Sequence, residues 1–282
     1  MTEPLQRLLA EAPLPAVDGG KDSRGNLVIV GGAPSCPGAA ILAGQAALRC
    51  GAGRVQLVVH PSVAAAVGAA FPEALVLGWD PREGLPARLR GPLEEAAAVV
   101  VGPGLGGEGP TAAVAVSRSM GDGVLVLDAK SIPSLDDPAL AERPQRLAAP
   151  NPKEAALLLG DHLDGDAEPD DEQLSDLAVR VAKVVGGPAA VRGATTILDD
   201  GESRQWSHRS EVPGLGAPGS GDVLVGALGG FLARGASPLT ALAWAVAAHA
   251  EAGVILAEGR PVGFLAREVA DALPAALVRL SP

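Results

Sequence analysis

Aromatic side chains are almost absent from this 282-residue sequence, which contains three Trp, three Phe and no Tyr. Platforms on which nucleobases could stack are therefore few, and the core must be built from aliphatic residues and alanine. A hydrophobic fraction of 48% with 20% charged residues is typical of a soluble globular protein.

Cysteine is equally scarce. Cys36 and Cys50 belong to no Cys-x-x-Cys pair and no Cys/His pattern of a zinc site, so neither a disulfide framework nor a zinc centre is expected. We expect a reduced, cytoplasmic setting. The N-terminus carries early acidic residues without an apolar core, which argues against a secretory signal, and Gly, Pro and charged residues interrupt the apolar runs before membrane-spanning length.

Basic residues are outnumbered, with 22 Lys and Arg against 33 Asp and Glu and a net charge of -11. Nucleic acid and anionic membrane surfaces are therefore not expected partners. If such an acidic chain binds phosphate groups, it must use backbone donors, a local cation or a metal ion.

Glycine, in contrast, is concentrated in residues 212–225, which read V-P-G-L-G-A-P-G-S-G-D-V-L-V and lead into a helical apolar pattern. Glycines let backbone N–H groups turn inward, and a helix start adds unpaired donors and the positive end of its dipole. This predicts an anion pocket, in which Asp222 is a candidate general base for phosphoryl transfer. The structural alternative is that Ser220 is an N-cap and Asp222 a first-turn acid.

The alternation of apolar runs and helical patterns predicts an α/β protein. The strand–helix–strand unit of residues 27–59 predicts parallel strands, although it lacks a G-x-G-x-x-G motif. We find no linker and expect one domain over residues 1–282, with 1–26 as an N-terminal helix and linker. The other expected elements are strands at 96–101, 124–127, 147–149 and 189–191, an acidic loop at 161–172, a hairpin turn at 199–202, and helices at 174–185, 239–258 and 266–280, the last kinked or divided at Pro274.

Polar residues at the predicted strand ends are further candidates. Asp128 directly follows a buried strand, a position suited to metal or phosphate chemistry. Asn151, Pro152 and Glu154 fit an ordinary helix start, and a functional role for them remains open beside it. Arg192 supplies a cation for the glycine-rich pocket, whereas His249 is predicted to be a packed core histidine.

Five segments together resemble the ADP-dependent NAD(P)H-hydrate dehydratases of the ribokinase-like superfamily. They are P-G-A-A-I-L-A (37–43), G-P-G-L-G (102–106), P-N-P-K-E (150–154), R-G-A-T-T (192–196) and P-G-L-G-A-P-G-S-G-D-V-L (213–224). The resemblance runs from about Leu14 to the last helix. It implies a three-layer ribokinase-like fold, with a mostly parallel central sheet, helices on both faces and an antiparallel edge, and a homo-oligomer, for which we expect a tetramer.

The resemblance also implies a repair enzyme. Such enzymes phosphorylate the hydroxyl of the hydrated cofactors NADHX and NADPHX from ADP and then expel phosphate, which regenerates NAD(P)H and releases AMP. Asp222 would accept the hydroxyl proton, and the amides of Gly219, Ser220 and Gly221 would stabilise charge on the transferring phosphoryl group. The implied substrate-binding residues are Ala39, Gly104, Asn151 and Asp222, and the implied nucleotide-binding residues are Arg192, Gly193, Ala194, Thr195, Thr196 and Gly221.

Magnesium is expected, because an acidic pocket needs a cation to bind a diphosphate, and the resemblance implies that Asn151 and Glu154 hold it through water. Three motifs depart from the pattern of many relatives: the His-Pro-Gly-Glu motif here reads Asn151-Pro152-Lys153-Glu154, Lys130 ends a D-A-D motif, and Val212 replaces an Asn before Pro-Gly. The epimerase domain of some relatives is not expected.

Two alternatives stay open at this point. One is an ATP-dependent kinase of the same superfamily that acts on a vitamin precursor or a sugar. The other is a non-catalytic adenine-nucleotide sensor, for which replacement of Asp222 by Asn would change nothing. Both enzyme hypotheses predict that this replacement abolishes turnover.

Overall fold

The computed structural model describes residues 2–16, 19–143, 145–161 and 169–281. Its strands are β1 Glu3–Pro4, β2 Asn26–Val30, β3 Arg54–Val59, β4 Leu75–Gly78, β5 Ala98–Val101, β6 Val124–Leu127, β7 Arg146–Ala148, β8 Ala189–Val191, β9 Thr195–Asp199 and β10 Gln205–Arg209. Its helices are α1 Leu5–Glu11, α2 Gly38–Arg49, α3 Ala64–Ala70, α4 Arg90–Glu94, α5 Gly109–Ser117, α6 Pro138–Ala141, α7 Pro152–Leu159, α8 Asp171–Val185, α9 Ser220–Ala233, α10 Pro238–Ala257 and α11 Ala266–Leu280.

The strands form a parallel part and an antiparallel edge. Six strands pair in the order β4-β3-β2-β5-β6-β7, all parallel, with Ile29 opposite Leu57 on one side and Val100 on the other. Four more pair in the order β1-β10-β9-β8, with β10-β9 and β9-β8 antiparallel. The two parts meet where β7 contacts β8, and just beyond them the Arg192 N–H donates to the Pro150 carbonyl at 2.8 Å.

The sheet lies between two hydrophobic cores. Side chains alternate across a strand, so Leu27 and Ile29 of β2 pack into one core while Val28 and Val30 pack into the other. The first core is completed by α1, α2, α9, α10 and α11, and the second by α5 and α8. Because both faces are covered, the inner strands β5 and β6 are continuous apolar runs. The expected three-layer α/β architecture with an antiparallel edge is confirmed.

Several local predictions are confirmed and others are wrong. The hairpin forms as predicted, with Asp199 of β9 opposite Gln205 of β10, but β4 was not predicted. Of the predicted acidic loop, residues 162–168 lie outside the described residues, and Asp171 already begins α8. Pro274 lies inside α11, which is described as continuous from Ala266 to Leu280, so the helix is not divided there.

The apolar helix α10 is 20 residues long and is long and apolar enough to cross a membrane by length and composition. Glu251 and Gly253 interrupt its apolar run, as the sequence predicted. Trp244 and the other inward-facing residues of α10 are buried in the first core, where the helix packs against α9 and α11. These are the properties of a core helix of a globular protein.

Candidate active site

A cleft of about 780 Å³ opens where β6, β7 and β8 end and α9 begins. Three groups of residues line it: strand-end residues that include Asp128, Asn151 and Arg192, the segment from 208 to 222, and three residues of α10, namely Val246, His249 and Ala250. In open α/β sheets ligands bind outside the carboxyl ends of the strands. The volume is within the range of small-molecule sites.

The start of α9 offers unpaired backbone donors to this cleft. Gly219 is the N-cap with φ of 87°, and a Cβ there would lie 2.7 Å from Leu42 Cδ1, so the position requires glycine. Among the described residues, the amides of Gly219, Gly221 and Asp222 have no acceptor, whereas the Ser220 N–H donates to the Ala217 carbonyl at 3.1 Å. Ser220 is thus not the N-cap that the structural alternative required, and three amides remain for an anion.

Asp222 is the third residue of α9, and its carboxylate makes no hydrogen bond or ion pair with any residue that the structure describes. Burial raises the pKa of Asp222 to about 6, and the positive charge of Arg192 opposes this rise. A half-buried carboxylate without a partner, whose pKa lies close to neutrality, is the arrangement that a general base needs.

Arg192 is fixed at the floor of the cleft by the end of β7. Its Nε donates to the carbonyl of Ala149, and its Nη2 lies 3.5 Å from Asp128 Oδ1 and 3.7 Å from Glu154 Oε2. Its Nη1 would lie 2.8 Å from a Cβ at position 221, so the guanidinium packs against the bare backbone of Gly221. Of the described residues lining the cleft, no other is Lys or Arg.

Asp128 lies beneath this arginine and is 5% exposed. Burial raises its pKa to about 7, the negative charges of Glu154 and Asp222 add to the rise, and Arg192 opposes it. The next residue, Ala129, has φ of 49°, a left-handed conformation that costs a residue with a Cβ about 1–2 kcal/mol. Such strain concentrates at functional sites.

The start of α7 is closed by its own side chains. The Glu154 N–H donates to Asn151 Oδ1 at 2.9 Å, and the Asn151 N–H donates to Glu154 Oε2 at 2.9 Å. Pro152 occupies the first helical position, where its missing N–H is of no consequence. The predicted helix start is therefore confirmed.

The cleft brings together most of the predicted site residues. It is lined by Asp222, Gly219, Ser220, Gly221, Arg192, Gly193, Ala194, Thr196, Asn151 and Glu154. Thr195 is a buried strand residue outside the lining. Ala39 and Gly104 also lie outside it but beside one another, since a Cβ on Gly104 would be 2.8 Å from that of Ala39. Leu42, three residues along α2 from Ala39, reaches the start of α9.

Two histidines of the cleft, His249 and His208, were not predicted to belong to the site. His249 is buried, as expected of a core residue, yet it lines the cleft and its Nε2 lies 2.8 Å from Ser220 Oγ. His208 lies on β10 and faces the same space. A histidine among the apolar residues of α10 was the signal in the sequence that could have indicated His249.

The chain is similar to known proteins of one family. A family model described as NAD(P)H-hydrate dehydratase matches residues 27–275. The ADP-dependent (S)-NAD(P)H-hydrate dehydratase of Xanthomonas campestris pv. campestris is 42% identical over 294 residues, which cover 99% of this chain and 99% of that protein.

Two solved structures share the fold. A ribokinase-like superfamily protein from Enterococcus faecalis V583 is 24% identical with a TM-score of 0.82, over 98% of this chain and 95% of that chain. The ADP/ATP-dependent NAD(P)H-hydrate dehydratase of Bacillus subtilis, co-crystallised with ATP/Mg2+, is 23% identical with a TM-score of 0.82, over 100% of both chains. The expected ribokinase-like fold is confirmed.

Proposed function

This chain belongs to the NAD(P)H-hydrate dehydratase family, and from that premise we propose that it dehydrates NADHX and NADPHX back to NADH and NADPH, with ADP converted to AMP and phosphate. The observation that carries the proposal is the carboxylate of Asp222 beside the amides of Gly219 and Gly221, all without a hydrogen-bond partner in the part of the chain that the structure describes. A carboxylate repels phosphate groups, so its place in an anion site is explained by proton transfer during phosphoryl transfer.

Backbone donors and one arginine support nucleotide binding in this acidic protein. The amides of Gly219 and Gly221 would receive phosphate oxygens at the positive end of α9, and Arg192 would add a full charge. The segment of residues 192–196 runs along the cleft from there, with Gly193, Ala194 and Thr196 in its lining. Thr195, which lies in the strand itself, would act by positioning its neighbours.

The reaction proceeds in two steps that convert a poor leaving group into a good one. Asp222 takes the proton from the hydroxyl of the hydrated ring while that oxygen attacks the β-phosphorus of ADP, and the bond to AMP breaks. The carbon–oxygen bond of the phosphorylated ring then breaks with departure of phosphate, and loss of a neighbouring ring proton restores the double bond. The sum is NADHX plus ADP giving NADH, AMP and phosphate.

The hydrated cofactor would lie on the other side of Asp222 from the nucleotide. Asn151 lines the cleft, and Ala39, which approaches Gly104, lies three residues along α2 from Leu42, which reaches the start of α9. Ala39 is buried, and a Cβ on Gly104 would lie 2.3 Å from the Cys36 carbonyl oxygen, so these small residues would act by letting the 102–106 turn pack closely against the start of α2.

Magnesium fits this donor set through water rather than directly. No described group of three or more His, Cys, Asp or Glu side chains is arranged to hold a metal ion, and Glu154 already accepts from Asn151. Mg2+ commonly keeps several waters and uses few carboxylates together with substrate phosphates. We therefore propose that Asn151 and Glu154 hold Mg2+ through water, where it would neutralise charge on the diphosphate.

The test is incubation of the purified protein with NADHX or NADPHX, Mg2+ and either ADP or ATP, with the absorbance band of reduced nicotinamide as readout. We expect recovery with ADP, stoichiometric AMP and loss of both signals on chelation of Mg2+. Failure to recover the band with either nucleotide would overturn the proposal and favour the kinase alternative. Nucleotide binding that is unaltered in Asp222→Asn, without turnover in either protein, would favour the sensor.

We also propose that the protein is a cytoplasmic homotetramer. Its cysteines are free thiols, which suits a reducing compartment, and Val278 and Leu157 expose 77% and 63% of their surface. Light scattering coupled to size-exclusion chromatography measures the assembly, and a monomer at micromolar concentration would contradict this part of the proposal.

A further inference from the structure

Ser220 contributes to the cleft in a different way from its glycine neighbours. It is the first residue of α9 and lines the cleft, but its amide is occupied by the carbonyl of Ala217 at 3.1 Å. The group that Ser220 has left for a ligand is therefore its hydroxyl.

The hydroxyl of Ser220 is paired with a buried histidine of another helix. His249 Nε2 lies 2.8 Å from Ser220 Oγ and 3.1 Å from the Ser220 carbonyl oxygen. A carbonyl oxygen can only accept a hydrogen bond, so we assign the ring proton to Nε2 on the basis of the second contact. The same N–H then faces Ser220 Oγ as its donor, which leaves the hydroxyl proton without a partner on this side.

The histidine is neutral in this environment. Burial lowers the pKa of His249 to about 4, and the positive charge of Arg192 lowers it further, against the contact with the Ser220 carbonyl, which raises it. A neutral imidazole with its proton on Nε2 has a lone pair on Nδ1, and it keeps this one role over the physiological pH range.

Packing alone does not explain a histidine at position 249 of α10. The buried residues of α10 are apolar apart from Thr240 and His249, and a buried polar group destabilises a fold unless it is hydrogen-bonded. The side chain is 9% exposed, and that exposure is to the cleft. Its hydrogen bonds both go to the residue that begins the anion-binding helix.

We propose that His249 is a positioning residue: its Nε2–H donates to the carbonyl and hydroxyl oxygens of Ser220 and thereby directs the Ser220 O–H proton into the cleft, onto an oxygen of the transferring phosphoryl group. Ser220 is the catalytic residue of the pair. This inference rests on the proposed function for the identity of the phosphoryl donor, ADP, and adds a side-chain donor to the amides of Gly219 and Gly221.

The experiment compares Ser220→Ala, His249→Leu, His249→Gln and the double variant Ser220→Ala/His249→Leu in the ADP-dependent NADHX assay. We expect Ser220→Ala and His249→Leu each to lower kcat about tenfold to a hundredfold, the range for a hydrogen bond to a charged group, with little change in the KM for NADHX. The double variant should be no worse than either single variant, because the two residues act through one hydrogen bond. His249→Gln, whose amide can donate from a similar position, should recover most of the loss.

A second readout does not depend on the dehydration reaction. Calorimetric titration with ADP and with AMP should show weaker ADP binding in Ser220→Ala and His249→Leu but unchanged AMP binding, because only ADP carries the phosphoryl group in question. If the wild-type protein fails to recover NADH while this difference is found, the proposed function falls and the inference stands.

Three results would overturn the inference: a kcat of His249→Leu equal to that of the wild-type protein, additive losses in the double variant, or equal loss of ADP and AMP binding. If His249→Leu does not fold, as judged by circular dichroism, the kcat values of His249→Gln and Ser220→Ala test the inference instead. A His249→Gln protein that is folded yet loses as much kcat as Ser220→Ala would also reject the role.

Discussion

Two helices begin at the same cleft with an acid as their third residue, and the two acids differ in their hydrogen bonding. In α7 the N-cap Asn151 and the acid Glu154 satisfy each other's backbone donors. In α9 the N-cap is Gly219, which has no side chain to offer, and the side chain of Asp222 makes no hydrogen bond to any described residue. One helix start is saturated by its own side chains, whereas the other is left for a ligand.

The difference shows that an acid near a helix start does not by itself indicate a functional site. Both acids gain from the helix dipole, but the side chain of Glu154 is tied to backbone and to the neighbourhood of Arg192. Asp222 is left half-buried, with a raised pKa. Replacing each acid by its amide, and Asn151 and Ser220 by alanine, separates a structural helix start from a functional one.

The largest effect is expected for Asp222→Asn. Removing the general base should lower kcat by about 100- to 10,000-fold while leaving the fold and ADP affinity intact. Glu154→Gln, whose amide oxygen still accepts from Asn151, should lose far less. Steady-state kinetics with NADHX and ADP measure both, and equal losses in the two variants would remove the distinction between the helix starts.

A smaller effect is expected for Gly221→Ala. The added Cβ would lie 2.8 Å from Arg192 Nη1, so the guanidinium must move away from the anion site, and ADP affinity should fall about tenfold to a hundredfold. Gly91→Ala, the second residue of α4, adds a Cβ with nothing within 4 Å and is the matched control. Calorimetric titration of ADP would contradict the model of the site if both variants bound alike.

The pH dependence of turnover should follow Asp222. Because its pKa is raised to about 6 and the base acts as a carboxylate, kcat/KM should be constant above neutrality and fall about tenfold per pH unit below 6. A profile that stays flat down to pH 5 would mean that this carboxylate is not the base.

Raising the pH should increase turnover but lower the stability of the unliganded protein. Burial raises the pKa of Asp128 from 3.8, the ordinary value of the unfolded chain, to about 7 in the folded state, so between these values the folded state binds more protons than the unfolded state. The free energy of unfolding should therefore fall as the pH rises from 4 to 7. Urea titrations of the wild-type protein and of Asp128→Asn measure this, and a fall of the same size in the variant would assign it to other groups.

The smallest effect is expected at the N-cap of α7. Asn151→Ala should lower the free energy of unfolding by about 1 kcal/mol, and Asn151→Asp, which keeps an acceptor, should lose little of it. Ser220→Ala should leave the start of α9 in place, because Gly219 is its N-cap. Thermal unfolding measures all three, and a larger loss in Ser220→Ala than in Asn151→Ala would reverse the comparison.

Much of the fold was predictable because its signals are local. The strands at 27–30 and 124–127 are unbroken apolar runs, as strands buried on both faces must be. Strand β4 was not predicted, although Leu75, Val76 and Leu77 form an apolar run: the run is short, ends at Gly78 and lies at the partly exposed edge of the sheet. The glycine-rich segment, its turn and the helix that follows were predictable from the backbone requirements of glycine.

The sequence by itself determined the layers, the start of α9 and the presence of an acid there, because periodicity and backbone conformation depend on neighbouring residues. Only the tertiary structure decided that Arg192 is held by Ala149 and that His249 meets Ser220, pairs that lie 43 and 29 residues apart. The reason is physical: hydrogen bonds and desolvation depend on which groups the packed helices and strands bring into contact, and separation along the chain does not encode that contact.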